Sequence, residues 1–244
     1  MEKPLREVAG TFTALYESIT DQAVAERLRA CGPWVKAMLG QMLPLSAVAT
    51  RPEGRRFVVI DASSMQAPGA KGTDHRLHLS MDLVSLPCVE VLVSDVHTGA
   101  TLKHFTLGPR DVVVTDRGYA HAQGMSDAVT RGAALVVRLS PCSVVWGDTA
   151  GQPLSLRDAL KRQRTETIRT LEVVIQSSDG PAQVRGWVHA YRLSAEQAGR
   201  ARHTCRKRHK KGTPKAETLY LAGWVVVCTT LAPRVLSAET IMAL

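Results

Sequence analysis

Two stretches of this chain each drive an apolar run straight into an aspartate. In RRFVVIDASSMQAPG, Arg55 to Gly69, the run from Phe57 to Ile60 ends at Asp61, and in RDVVVTDRGYAH, Arg110 to His121, Val112, Val113 and Val114 lead through Thr115 to Asp116. Short β-branched runs closed by turn residues read as buried strands. A carboxylate at the end of such a strand is costly unless it is paired, hydrogen-bonded or bound to a metal. The chain therefore has to fold so that two strand ends each give their charge a partner.

The rest of the pattern arranges those strands. From 56 to 140 the period is that of strands: one near 56–61, then HRLHLSMDL, with Leu77, Leu79, Met81 and Leu83 on one face and His78, Ser80 and Asp82 on the other. CVEVLVSDV near 88–96, DVVVTD near 111–116, a helix over 120–131 and a strand over 133–139 follow. This order suits an α/β layer in which the first three strands meander antiparallel and the fourth joins the other side of the first. Asp61 and Asp116 then occupy neighbouring strands, at the strand ends where open α/β sheets bind ligands. Before residue 50, Val24, Leu28, Cys31, Val35, Met38, Leu39 and Met42 fall at helical spacing. The CGPW at 31–34 divides them into two helices, with Pro33 in the first turn of the second. Beyond 140, a hairpin in SVVWGDTAGQPLSL, two long strands around SSDG and an apolar strand over 218–231 read as a β-rich insertion leading back to the sheet.

Composition narrows the class. A chain of 244 residues that is 45% hydrophobic and 22% charged can bury a proper core. No window reaches the length of a membrane span and the start MEKPLREVAG lacks a secretory apolar core, so a cytoplasmic protein with no membrane partner is expected. Five scattered cysteines show no CxxC pair, and His203, Cys205 and His209 fall short of a four-ligand zinc set. GAKGTD at 69–74 is no P-loop, because Lys71 precedes Gly72. Of the net charge of +9, eight lysines and arginines lie between Arg200 and Lys215, with no acid among them. That run, including Arg206, Lys207, Arg208, Lys210 and Lys211, reads either as a solvated mobile loop or as a segment that tracks the phosphates of a polyanion.

Two carboxylates from adjacent strands, in a chain with a basic segment, point to metal-assisted phosphoryl transfer. Oxygen ligands suit Mg²⁺ or Mn²⁺, and paired ions can stabilise the attacking and leaving oxygens of an in-line displacement. Either aspartate alone would be ordinary turn chemistry. Their pairing argues for function.

VVIDASSMQAPGAKGTDHRLHLSMDL, then VVVTDRGYAH, then GAALVVRL resemble the DDE transposases of bacterial insertion sequences, in the insertion-sequence-four branch. The likeness covers roughly residues 50–244, with DRGYA at 116–120 its most specific motif. It implies an α/β fold: a ribonuclease-H-like mixed sheet with flanking helices and a β-rich insertion. The expected organisation is an N-terminal helical region over 1–50 and the first part of the catalytic domain over 51–140. An insertion with its basic segment over 141–217 and a returning strand with the start of a C-terminal helix over 218–244 complete it. The resemblance further implies that Asp61 and Asp116 are the first two metal-binding carboxylates, that the cofactor is Mg²⁺ or Mn²⁺, and that the partner is DNA. Element ends and target DNA would be bound, by a homodimer in the transposition complex. Arg117 and Tyr119 contact DNA or brace the site on this reading; Arg76 and His78 lie on the strand beside Asp61, and Trp146 or Trp187 stack on a base or pack in the core. No third carboxylate is assigned. The family's Y-x2-R-x3-E-x6-K signature is not found, and Glu239 lacks its neighbours. A C-terminally truncated, inactive transposase is the expectation, with a ribonuclease-H-like nuclease and a non-catalytic DNA-binding remnant as alternatives.

Overall fold

The computed structural model describes residues 5–31, 33–34, 37–38, 54–66, 72–83, 88–95, 97–140, 142, 144–161, 167–177, 181–209 and 212–244. In chain order the elements are α1 (Leu5–Leu15), α2 (Asp21–Ala30), β1 (Arg56–Met65), β2 (His75–Asp82), β3 (Cys88–Asp95), β4 (Asp111–Thr115), α3 (Ala122–Thr130), β5 (Ala134–Arg138) and β6 (Val145–Gly147). There follow α4 (Leu156–Leu160), β7 (Ile168–Gln176), β8 (Gln183–Arg192), α5 (Ala195–Arg208), α6 (Ala216–Leu221), β9 (Trp224–Thr229) and α7 (Ala238–Ala243). The protein is mixed α/β, and its mixed sheet with flanking helices is consistent with a ribonuclease-H-like fold. Two compact units are distinguished, residues 1–48 with 62–99, and residues 49–61 with 100–244.

In the first unit α1 packs on α2, whose start is capped by the Thr20 side chain accepting from the Ala23 amide. Residues 33–34 and 37–38 are helical after a break at Cys31; Val35, Leu39 and Met42 lie outside the described residues. β2 and β3 form an antiparallel hairpin with Leu77 opposite Val93. Its buried face is the polar one: His78, Ser80 and Asp82 are 0%, 2% and 2% exposed, whereas Leu77, Leu79 and Met81 are half-buried. Hydrogen bonding makes this tolerable, as between His78 Nε2 and Ser94 Oγ at 2.8 Å.

In the second unit the strand order is β1-β4-β5-β9-β8-β7-β6. β1, β4 and β5 run parallel, with Phe57 beside Val112 and Val112 beside Ala134. From β5 onward each neighbour is antiparallel. Parallel strands covered on both faces have to be apolar on both. Val58, Ile60, Val113, Leu135 and Val137 line one face at 1% exposure or less. On the other, Phe57, Val112, Ala134, Val136 and Val227 cluster with Ile241 of α7. Each such buried side chain contributes about 1.5–3 kcal/mol.

Three local expectations change. The basic run is helical through Arg208: Ser194 and Gln197 form a capping box that starts α5, and alanine, arginine and lysine propagate it. Apolar periodicity does not mark this helix, because its less exposed stripe is only Ala198, Ala201, Arg202 and Cys205, too small and polar to form an apolar face. Residues 216–221 are helical too, and the returning strand begins only at Trp224. The hairpin after 144 is reduced to β6 and one bridge, Gly147 to Pro153, before Ser155 caps α4.

β8 carries a fully buried imidazole. His189 Nδ1 meets Thr170 Oγ1 at 2.9 Å, and Nε2 has no hydrogen-bond partner among the described residues. Burial lowers the pKa of His189 from 6.5, and Glu239 of α7 opposes this. Since the folded state holds the ring neutral, the unfolded chain binds more protons below the ordinary value, and stability falls as the pH drops through that value towards the lower folded one. Urea midpoints should therefore decline between about pH 7 and pH 5. His189→Gln should flatten that slope; an unchanged slope would assign it elsewhere.

Candidate carboxylate site and basic cleft

The last registered pair of β1 and β4 is Ile60 with Thr115, both on the face opposite α7. The next residue of each strand turns back to the α7 face, and those residues are Asp61 and Asp116. Parallel neighbours lie about 5 Å apart, so the two carboxylates emerge side by side. Both are exposed. Asp116 is positioned from its own turn: it caps the short 3₁₀ helix Arg117–Tyr119, and its Oδ1 accepts from the Gly118 amide at 2.8 Å.

Asp61 and Asp116 line a cleft of about 490 Å³ together with Arg138, Val225, Ile241, Met242 and Leu244. α7 thus forms one wall through its last turn, but Glu239, nearer its start, does not line the cleft; hydrogen bonds from its own backbone amide and the Ser237 side chain, then the charge of His189, lower its pKa. Among the described residues, no group of three His, Cys, Asp or Glu is close enough to hold a metal.

Arg138 is the residue that sequence reasoning missed. β4 and β5 register Thr115 with Val137, so Arg138 follows at the β5 end as Asp116 does at the β4 end. The signal was present: AALVVRL is also an apolar strand closing on a charge, here positive. The ends of three adjacent parallel strands therefore carry aspartate, aspartate and arginine.

The other candidates separate. Tyr119 is 1% exposed and packs on Phe105 with ring centroids 6.1 Å apart, so it braces the turn from the core. Trp146 is buried and Trp187 half-buried, whereas Arg76 donates to the Thr98 carbonyl at 3.4 Å. Along α5, Arg202 is used structurally, donating to the Leu219 carbonyl at 3.1 Å, and Arg200 pairs with Glu196 at 2.5 Å. Arg206 and Lys207 are exposed, and Lys210 and Lys211 lie outside the described residues. Arg208 alone of the expected DNA contacts on α5 lines a second cleft of about 490 Å³, which Arg117 and Arg138 also line. Desolvation, then the like charges of Arg138 and Arg208, lower the Arg117 pKa, with Asp116 opposing. His203, Cys205 and His209 form no metal group among the described residues.

The Asp116 turn has little slack. A Cβ on Gly118 would meet Asp116 Oδ1 at 3.1 Å, so Gly118→Ala must displace that carboxylate by a few tenths of an ångström. The expected result is a thermal midpoint close to that of the parent and Mn²⁺ affinity reduced about threefold, since site geometry of this kind tolerates roughly 0.5 Å. Unchanged Mn²⁺ binding would exclude a ligand role for that oxygen.

No protein-family model matches the chain. It is 25% identical over 246 aligned residues, 97% of this chain, to a protein of Escherichia coli strain K12 described as the transposase InsL of insertion sequence element IS186A. The identity and coverage are the same for the transposase of insertion sequence element IS421, also from Escherichia coli. In each case the alignment spans 66% of the relative's length. No helix among the described residues is long and apolar enough to cross a membrane.

Proposed function

We propose that this chain is a transposase of an insertion sequence, of the DDE type, acting on DNA through a divalent metal held by Asp61 and Asp116. The observation that carries the reading is the register: two exposed carboxylates one residue beyond a paired Ile60 and Thr115, opening into one cleft. The similarity along 97% of the chain to transposases of insertion sequences supports it.

The donor set fits a hard cation. It is all oxygen, solvent-accessible and dianionic, which suits Mg²⁺ or Mn²⁺ over softer metals. Asp61 and Asp116 would hold one such ion, which when bound supplies Lewis-acid stabilisation of a phosphodiester undergoing displacement. The chain's own residues do the rest of the positioning. The Gly118 amide fixes the Asp116 carboxylate, Arg138 offers a cation beside it, and the Ile241, Met242 and Leu244 wall narrows solvent access. Because no third acidic group joins the pair among the described residues, cleavage by these 244 residues alone should be weak. The same observation favours, as a second reading, a DNA-binding remnant that no longer cuts.

The test is a duplex carrying the terminus of the DNA element that encodes the chain, incubated with Mg²⁺ or Mn²⁺. Low-level nicking with joined-strand products, lost in Asp61→Asn and Asp116→Asn, is expected. Hydrolysis without joining would indicate a ribonuclease-H-like nuclease, and DNA retention indifferent to both aspartates would indicate the remnant.

A further inference from the structure

We infer that the second cleft, where Arg117, Arg138 and Arg208 converge, is a phosphodiester-binding channel that receives a single DNA strand beside the carboxylate pair. This rests on the reading of Asp61 and Asp116 as the reacting site and adds the path of the strand next to it.

Three observations meet here. First, the three arginines come from separate elements: Arg117 from the turn after β4, Arg138 from the end of β5, and Arg208 from the last turn of α5. Local sequence does not bring them together; the fold does. Second, no described carboxylate lines this cleft, although Arg138 also faces Asp61 and Asp116 in the other. No ion pair to any of the three is found among the described residues, and only Asp116 opposes the mutual repulsion felt at Arg117. Gathering like charges costs energy that a bound anion would remove, and planar guanidinium groups match phosphate oxygens with paired donors. Third, Arg138 and Val225 line both this cleft and the one containing Asp61 and Asp116, so the two adjoin along β5 and β9.

The wall suits a polyanion over a small metabolite. Ser140, Thr204 and Thr218 add hydroxyls and His209 a ring nitrogen. Arg206, Lys207 and Arg208 are all exposed, but of the three only Arg208 lines the cleft. Affinity should follow the residues that line it.

The experiment is fluorescence anisotropy of a labelled ten-nucleotide oligothymidylate in Ca²⁺, measured across a salt series. Compared are the parent, Arg138→Gln/Arg208→Gln and Arg206→Gln/Lys207→Gln, each checked by thermal melting. Removing two channel contacts should weaken binding at least tenfold and reduce the slope of log affinity against log salt by about 1.4; the pair that does not line the cleft should lose less than threefold. Arg138→Lys/Arg208→Lys, which preserves charge, should recover the slope but only part of the affinity. Equal losses in both double variants would overturn the channel while leaving DNA binding intact. No binding by the parent would overturn the channel and the DNA reading together. Competition by millimolar inorganic phosphate, with no gain in affinity from four to ten nucleotides, would show a pocket for a small anion and also contradict the strand path.

Discussion

Asp116→Asn is expected to weaken Mn²⁺ binding about tenfold or more, about 1.4 kcal/mol, and to abolish whatever metal-dependent DNA chemistry the chain retains. The argument is electrostatic and geometric. Asn keeps the size and the hydrogen bond accepted from the Gly118 amide, so the turn should persist. What disappears is one of two anionic charges facing the same cleft. Asp61→Asn should match it, and the double variant should fall little further, because one remaining carboxylate already makes a poor site for a divalent ion. Electron paramagnetic resonance of free Mn²⁺ reads this directly. Two additive, small losses would mean that the aspartates bind ions separately or not at all.

Among the described glycines, Gly186→Ala should be the most damaging replacement. A Cβ at Gly186 would sit 2.3 Å from the Thr229 carbonyl oxygen and 3.1 Å from its carbon, both backbone atoms of the adjoining β9. No rotamer change relieves that contact, so β8 and β9 must separate or twist where β9 also pairs with β5. Overpacking of this kind costs about 3 kcal/mol, a large share of the stability of an ordinary domain. The control is Gly199→Ala on α5, where nothing lies within 4 Å. There, replacing a helical glycine should stabilise by about 0.5–1 kcal/mol. Denaturant titrations should give opposite signs for the two; equal effects would mean that β8 and β9 are not packed as described.

What could be read from the sequence, and what could not, follows from the range of the forces involved. The placement of Asp61 and Asp116 at strand ends was legible because its signal is local: an apolar run, a carboxylate and a turn. That β4 lies beside β1 was legible because few connections satisfy the strand order; that the two run parallel comes from the fold. Arg138 carried the same local signal with opposite sign but drew no attention, since a cation at a strand end raises no question without its neighbours. The grouping of Arg117, Arg138 and Arg208 was not legible at all, because it depends on where α5 lands. The burial of His78, Ser80 and Asp82 in place of Leu77 and Leu79 inverts what alternation suggests. Periodicity assigns side chains to two faces but does not say which face is covered, and the His78–Ser94 hydrogen bond offsets part of the cost of burying the polar one. Tyr119 was drawn into the site by its motif, and packing on Phe105 puts it beneath that site instead.

The central claim is that Asp61 and Asp116 together hold a divalent ion. The most direct measurement replaces that ion with Fe²⁺ and maps backbone scission after adding ascorbate and peroxide, since hydroxyl radicals cut the chain next to the bound iron. The account predicts two principal cuts, near residue 61 and near residue 116, both suppressed by excess Mg²⁺ and absent from Asp61→Asn/Asp116→Asn. Cuts confined to the stretch from His203 to His209, or cuts unaffected by the double substitution, would contradict it.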